Sequence, residues 1–267
     1  MPTMPHEHRA MAESFGGDAE RYDRARPRYP QALVEHVTGA SPGRAFLDVG
    51  CGTGIAARQF LAAGCTVLGV EPDARMAEVA RRLGVDVEVS TFEAWEPAGR
   101  RFDAVVSGQA WHWIDPVAGA AKAARVLRPG GVLALFWNVP RLPPAVAGAL
   151  AEVYARVVPD APFDLRAMAD ASAVDRYRER IFGAARDGLR ETGRFAAPRE
   201  WRQDWEYTCT REAWLEQLPT SGALTRLPPD RLAQVLDGAG AAVDALGGSF
   251  PLTYATVALT AVRTGAA

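Results

Sequence analysis

Three glycines at alternate positions are the feature of this sequence that points most clearly to chemistry. Gly50, Gly52 and Gly54 follow an apolar segment at 45–49 and lead into a helical pattern at 54–63. A glycine-rich turn between a strand and a helix lets the backbone approach a ligand closely, because glycine has no Cβ. The ligand is then a dinucleotide, a nucleotide phosphate or a molecule that carries positive charge.

A carboxylate beside this turn separates the three ligands. A phosphate-binding P-loop needs a lysine after its last glycine, and none follows here. Gly52, Gly54 and Ala57 satisfy the dinucleotide pattern, in which Glu71 could hold a ribose. Asp48, however, would lie close to a bound pyrophosphate and repel it. The same acid suits a ligand with an ammonium and a sulfonium group and no phosphate, which describes S-adenosylmethionine.

Alternating strands and helices must position these residues. Strand patterns lie at 45–49, 66–70, 85–89, 102–107 and 132–137, and helical patterns lie between them at 54–63, 73–84 and 116–127. Strands with nearly continuous apolar cores, separated by helices, predict an α/β fold with a parallel sheet covered on both faces.

Beyond Asn138 the alternation stops. Residues 143–192 read as two or three helices, 201–209 and 252–262 as strands, and 211–218 and 229–245 as helices. The helical insertion is expected to form a lid above the strand ends, because open α/β sheets bind ligands at that edge. We therefore predict an N-terminal arm at 1–40, a cofactor-binding core at 41–138, a helical lid for substrate binding at 139–200, and a part at 201–267 that completes the sheet.

Composition and charge exclude several classes of function. With a formal net charge of −2, the chain lacks the excess of positive charge that is typical of proteins binding nucleic acid or anionic membranes. No run approaches 18 apolar residues, and the start of the chain lacks a signal-peptide core. The three scattered cysteines have no metal-binding spacing and predict reduced thiols in a cytoplasmic protein. The "HEH" at 6–8 lacks a third ligand, so we expect no metal.

The glycine motif is one of six segments that occur in order along the chain. They are "FGGDAERYDRARPRYP", "LDVGCGTG", "GVEPDARM", "STFEAW", "FDAVVSGQAWHWID" and "RVLRPGGVLALFWN". Together they resemble class I S-adenosylmethionine-dependent methyltransferases of the small-molecule branch, similar to methyltransferase type 11, over residues 14–138 and the closing strand. The resemblance implies a Rossmann-like, doubly wound sheet of seven strands, mostly parallel with an antiparallel last strand.

The resemblance also implies which residues hold S-adenosyl-L-methionine and its product S-adenosyl-L-homocysteine. Glu71 would grip the ribose hydroxyls, Asp48 would be an indirect partner of the methionine amino group, and Phe92 would lend a backbone amide to adenine. Aspartate is common in the family where Thr91 stands, so this position departs from the pattern. The implied cofactor contacts are Tyr22, Arg26, Tyr29, Asp48, Gly50, Cys51, Gly52, Gly54, Glu71, Pro72, Met76, Thr91, Phe92, Glu93, Ser107, Gly108 and Gln109.

The acceptor side of the site is expected where the fourth strand ends. Nucleic-acid amino-methyltransferases of similar fold carry an Asn/Asp-Pro-Pro-aromatic motif there, whereas this chain reads "SGQAWHW". We expect a small, partly aromatic or apolar metabolite of secondary metabolism, methylated on oxygen, nitrogen or carbon by a monomer or homodimer. The predicted substrate contacts are Trp111, His112, Trp113, Trp137 and Asn138.

Two questions stay open at this point. His112 is either the catalytic general base or an orienting group, since histidine titrates near neutral pH, and the tryptophans beside it could be only an aromatic patch. The activity itself has alternatives: a non-methylating cyclisation or rearrangement that needs the same cofactor, a cofactor sensor, or an NAD(P)-dependent oxidoreductase. Only the last would need a different ligand in the glycine turn.

Overall fold

The computed structural model of the protein describes residues 13–159, 172–222 and 224–265. Its strands are β1 (Ala45–Val49), β2 (Thr66–Glu71), β3 (Asp86–Val89), β4 (Phe102–Gly108), β5 (Leu127–Arg141), β6 (Arg199–Thr210) and β7 (Ser249–Val262). They form one sheet in the order β3-β2-β1-β4-β5-β7-β6. The first five strands pair in parallel, and β7 runs antiparallel to both of its neighbours. The predicted α/β class, doubly wound sheet, seven strands and antiparallel last strand are confirmed.

The helices that follow β1 lie where the sequence patterns placed them, and two further helices precede it. They are α1 (Ala19–Ala25), α2 (Gln31–Ala40), α3 (Ile55–Ala62), α4 (Ala74–Arg82), α5 (Pro116–Val126), α6 (Pro144–Val157), α7 (Ala173–Thr192), α8 (Arg211–Gln217) and α9 (Pro229–Asp244). Side chains at their N-termini explain several of the starts. Asp73 caps α4 by accepting the amide of Arg75, and Asp115 caps α5 by accepting two backbone amides.

The two faces of the sheet carry separate cores, because neighbouring residues of a strand point to opposite sides. Phe46 packs in the core formed with α2, α3 and α4. Leu47, the next residue of β1, packs in the core formed with α5 and α7. Both side chains are fully buried, and each such burial stabilises the fold by about 1.5–3 kcal/mol. The site at the strand ends therefore stands on a rigid base.

A third core lies beyond the sheet proper. It joins α6, α8 and α9 to β7. Its buried side chains include Leu150, Tyr154, Trp214 and Val235 of the helices and Phe250 and Tyr254 of the strand. The predicted lid at 139–200 is thus divided between two cores: α6 joins this third cluster, whereas Phe182 of α7 packs on the sheet against Trp137. Residues 160–171 of that region lie outside the described residues, so the lid stays a prediction.

Two expected absences concern membranes and metals. In residues 13–159, 172–222 and 224–265, no helix is both long and apolar enough to cross a membrane. The same part of the chain contains no cluster of three or more histidine, cysteine or acidic side chains able to hold a metal ion. The "HEH" segment at 6–8 lies outside the described residues.

Candidate active site

The glycine turn leaves the sheet next to the end of the second strand. Val49 of β1 pairs with Val70 of β2, so the turn after β1 and Glu71 emerge side by side. All three glycines of the turn have positive φ, at +68°, +55° and +81°. A Cβ on Gly50 would overlap the Cβ of Ala110, and one on Gly54 would lie 2.8 Å from Val85 Cγ2. Glycine is required here both for backbone conformation and for space.

Glu71 ties the glycine turn to the second strand. Its carboxylate is buried, with the residue 8% exposed. Oε2 accepts the amide of Gly52 at 2.8 Å and Oε1 accepts the amide of Asp73 at 3.0 Å. Burial raises the pKa of Glu71 to about 7, although these two amides pull it down. Each oxygen keeps lone pairs for further donors, such as hydroxyl groups.

Asp48 is the unusual group of the site. It is 1% exposed, and neither carboxylate oxygen has a partner of good hydrogen-bond geometry among the described residues. Burial, and then the charge of Glu71, raise the pKa of Asp48 to about 7, while the backbone amide of Ala57 offsets part of the rise. Buried carboxyl groups normally have a partner. A cationic ligand would supply one, whereas a pyrophosphate would be repelled.

The predicted adenine side combines buried and accessible groups. Met76 is buried and lies against the turn, with its Cε 3.4 Å from where a Cβ on Gly52 would stand. Phe92 is buried and packs 6.2 Å, between ring centroids, from Trp111. Pro72 is exposed, and Thr91 and Glu93 are half-buried. Thr91 Oγ1 accepts the amide of Ala94 at 3.3 Å and Glu93 Oε1 that of Asp115 at 3.4 Å.

An ion-pair clasp that sequence reasoning missed fastens the N-terminal arm to the glycine turn. Asp23 of α1 is buried and accepts the hydroxyl of Thr53, a residue of the turn, at 2.8 Å. The same carboxylate pairs with Arg58 of α3. The one signal for it is a carboxylate placed among four arginines in "RYDRARPR". The clasp holds the arm directly over the turn.

Of the three predicted arm residues, Tyr29 reaches the tip of β4, and Tyr22 and Arg26 contact each other. The Arg26 guanidinium lies 5.0 Å from the Tyr22 ring centroid and donates to the carbonyl of Thr220. Tyr29 is buried, and its hydroxyl would lie 2.6 Å from a Cβ on Gly108. Burial, then Tyr22 and Asp48, raise the pKa of Tyr29 well above its ordinary value. The arm therefore bridges the glycine turn and the short helix that contains Thr220.

The tip of β4 is held by its own side chains. Ser107 is fully buried and donates to the carbonyl of Val49 at 2.8 Å. Gln109 has a positive φ of +58°, and its side chain donates to the carbonyl of Asn138 at 2.9 Å. These contacts fix β4 between β1 and β5. The side chains of Ser107 and Gln109 are thus both engaged by backbone carbonyls.

His112 has a tautomer imposed by its neighbour. The indole N–H of Trp137 donates to His112 Nδ1 at 3.2 Å. Burial, with a smaller effect of Arg180, lowers the pKa of His112 to about 4, so the ring is neutral at pH 7. With Nδ1 accepting a hydrogen bond, the proton of the neutral ring sits on Nε2. At Nε2, His112 is therefore a hydrogen-bond donor, which favours the orienting role, and its part in catalysis stays a prediction.

The five predicted substrate residues divide by exposure. Trp111, Trp137 and Asn138 are buried, and Asn138 binds the hydroxyl of Thr256 at 2.6 Å. His112 and Trp113 are half-buried. The structure thus gives Trp111, Trp137 and Asn138 packing and hydrogen-bonding roles rather than open faces toward a ligand. The Trp137 side chain points into the core under α7, because side chains alternate between the two faces of β5.

An open groove elsewhere in the molecule is not this site. It has a volume of about 400 Å³ and is lined by residues that include Arg186, Arg190 and Phe195. Phe195 pairs with Arg263, past the end of β7, at the edge of the sheet opposite the strand tips. The groove therefore lies far from the glycine turn, and it contains none of the predicted site residues.

The strand order, the acid at the end of β1 and the three-glycine turn together define the fold of class I methyltransferases. Residues 47–135 match the family model described as a methyltransferase domain. This match covers the glycine turn, both buried acids and His112. The resemblance to class I S-adenosylmethionine-dependent methyltransferases is confirmed.

Individual relatives agree with this class. An uncharacterized methyltransferase of Mycobacterium tuberculosis is 39% identical over 132 residues, which are 49% of this chain and 54% of that protein. The malonyl-(acyl-carrier protein) O-methyltransferase of Enterobacter lignolyticus is 36% identical over 139 residues, again 49% and 54% of the two chains. A solved structure from Anaeromyxobacter dehalogenans, described as a proposed type II methyltransferase, is 26% identical with a TM-score of 0.56, covering 88% of this chain and 97% of that one. The chain spans about half the length of the curated relatives it matches.

Proposed function

We propose that this chain binds S-adenosyl-L-methionine and transfers its methyl group to an oxygen or nitrogen of a small-molecule metabolite. The observation that carries the proposal is the pair of buried acids at the glycine turn. Asp48 lacks a partner of good geometry among the described residues, which favours a cationic ligand over a dinucleotide. The O-methyltransferase among the relatives supports transfer to oxygen.

Each part of the site has a task in holding this cofactor. Glu71 would accept the ribose hydroxyls with the lone pairs that its two backbone amides leave free. Asp48 would act on the methionine amino group, and the glycine turn would admit the ligand close to the backbone. When bound, the cofactor supplies a methyl group that is already activated by its sulfonium.

The remaining task of the protein is positioning. An in-line displacement needs the acceptor atom, the methyl carbon and the sulfur in one line, with water excluded. The Tyr29 hydroxyl lies beside Gly108 at the tip of β4, and His112 and Trp113 follow that strand in the chain. The proposal includes an arm and a lid at 139–200 that close over both ligands, in a cytoplasmic protein that is a monomer or homodimer.

Transfer of a labelled methyl group tests the proposal. The protein is incubated with cofactor labelled in the methyl group and with pools of candidate metabolites, and the label is traced. We expect label in a product. A cofactor-dependent product without label would instead identify a cyclisation or rearrangement, and cofactor binding with no product from any pool would favour a sensor.

A further inference from the structure

The single lysine of the chain lies against the loop that follows β3. Lys122 belongs to α5 and is 4% exposed. Its Nζ donates to the carbonyl of Glu93 at 2.9 Å and to the carbonyl of Trp95. The same ammonium lies 5.6 Å from the ring centroid of Phe92 and 5.9 Å from that of Trp95. We call residues 91–95, which include the predicted adenine contacts after β3, the β3 loop.

The Lys122 ammonium is buried without a carboxylate partner. Among the residues that the structure describes, its hydrogen bonds go to backbone carbonyls and it forms no ion pair. Burial lowers the pKa of Lys122, although the charges of Glu96 and Glu93 raise it. Burying a charge without an ion partner is costly, and a methionine of similar length would avoid that cost. What the ammonium adds is the ability to bind two carbonyls of one loop at once, because it has three donors.

The β3 loop is anchored at its other side through Trp95. The amide of Trp95 donates to the carbonyl of Thr91 at 2.9 Å, which closes the loop on itself. The Trp95 indole N–H donates to Glu88 of β3. Arg100 pairs with the same carboxylate, and its guanidinium lies 5.3 Å from the Trp95 ring centroid. The loop is thus fixed to β3 through Trp95 and to α5 through Lys122.

We infer that Lys122 is a positioning residue for the cofactor: it holds the carbonyls of Glu93 and Trp95 and so keeps the backbone at Phe92 in the shape that receives the adenine base. This inference rests on the cofactor binding proposed above. Lys122 acts through the β3 loop and not by touching the ligand. Its removal should therefore impair recognition of the base more than binding of the rest of the cofactor.

Selectivity for the base tests the inference. Affinities of S-adenosyl-L-homocysteine and S-inosyl-L-homocysteine are measured by calorimetry; in the second ligand a carbonyl replaces the 6-amino group and N1 carries a proton. The wild type should prefer the adenine ligand. Lys122→Met should bind that ligand about tenfold more weakly, the loss expected for a charge-assisted hydrogen bond, and should lose most of the preference. Arg125→Met removes one positive charge from the exposed face of the same helix and should leave both affinities unchanged.

The possible failures are distinguishable. Equal weakening of both ligands in Lys122→Met would indicate a general structural effect and overturn the inference, and so would unchanged affinities. Either result leaves cofactor binding by the wild type intact. If the wild type binds neither ligand, the proposed function itself is contradicted, and the inference falls with it.

A spectroscopic measurement on the wild type needs no variant to fold. Protein labelled with lysine that carries nitrogen-15 at Nζ gives one side-chain signal, because the chain has one lysine. We expect this signal to shift when S-adenosyl-L-homocysteine or adenosine binds, since both ligands would contact the loop that Lys122 holds. L-methionine, which has no base, should leave the signal in place. A signal that does not move at saturating S-adenosyl-L-homocysteine would refute the link between Lys122 and the cofactor.

Discussion

Replacing Asp48 with asparagine should stabilise the protein while it impairs the proposed function. Burial and Glu71 raise the pKa of Asp48 from 3.8 to about 7. The native carboxyl thus keeps its proton over a pH range in which the unfolded chain has released it, so the free energy of unfolding falls as the pH rises from about 4 to 7. Each pH unit in that window is worth about 1.4 kcal/mol. Between pH 5 and pH 8, the free energy of unfolding of the wild type should therefore fall by about 3 kcal/mol relative to that of Asp48→Asn.

Urea unfolding without ligand at pH 5, 6, 7 and 8 measures this difference. Asp86→Asn is the matched control, because Asp86 is exposed at the start of β3. We expect the stability of Asp48→Asn relative to the wild type to grow through this range, whereas the control follows the wild type. At pH 8 the variant should also bind S-adenosyl-L-homocysteine at least about tenfold more weakly, by loss of one charge interaction. If the difference in the free energy of unfolding between the two proteins does not change with pH, the raised pKa of a buried, unpartnered Asp48 would be refuted.

Three further predictions concern the site and its supports. Affinity for the cofactor should rise about tenfold from pH 6 to pH 8 in titration calorimetry, because only the ionised form of Asp48 attracts a cation; an affinity independent of pH would contradict this. Asp23→Asn should expose the amides of residues 13–25 to hydrogen exchange and weaken cofactor binding, whereas Glu35→Gln on the exposed face of α2 should do neither. Trp137→Phe should raise the pKa of His112 by about one unit in an NMR titration, since it removes a donor that only the neutral ring accepts; a pKa that stays at about 4 would disprove that hydrogen bond as a constraint.

Much of the fold was readable from the sequence because its signals are local. Buried parallel strands appear as short continuous apolar runs, and β1 was predicted with the bounds it has in the structure. The glycine turn, Asp48 and Glu71 lie within a few residues of strand ends, so the order of strands alone brings them to one edge. Their chemistry followed from residue type and position.

The remaining features depend on contacts between distant parts of the chain. Asp23 meets Thr53 and Arg58 across about 30 residues, and no periodic pattern encodes that pairing. β5 extends to Arg141, beyond its predicted end, because its continuation pairs with the long strand β7. An amphipathic helix such as α7 reveals that one face is buried but not which surface covers it. The hydrogen bond between Trp137 and His112 likewise joins a strand to a loop that is distant in the sequence, so the sequence could not reveal it.

The most direct test of the central claim is calorimetric binding of four ligands to the purified protein. S-adenosyl-L-methionine and S-adenosyl-L-homocysteine should bind, and NAD and NADP should not. Glu71→Ala should weaken binding of the first two by about 1–3 kcal/mol, the magnitude expected for losing charge-assisted hydrogen bonds, whereas Asp86→Ala should leave it unchanged. Preferential binding of NAD, or full affinity for S-adenosyl-L-homocysteine in Glu71→Ala, would contradict the assignment of this site.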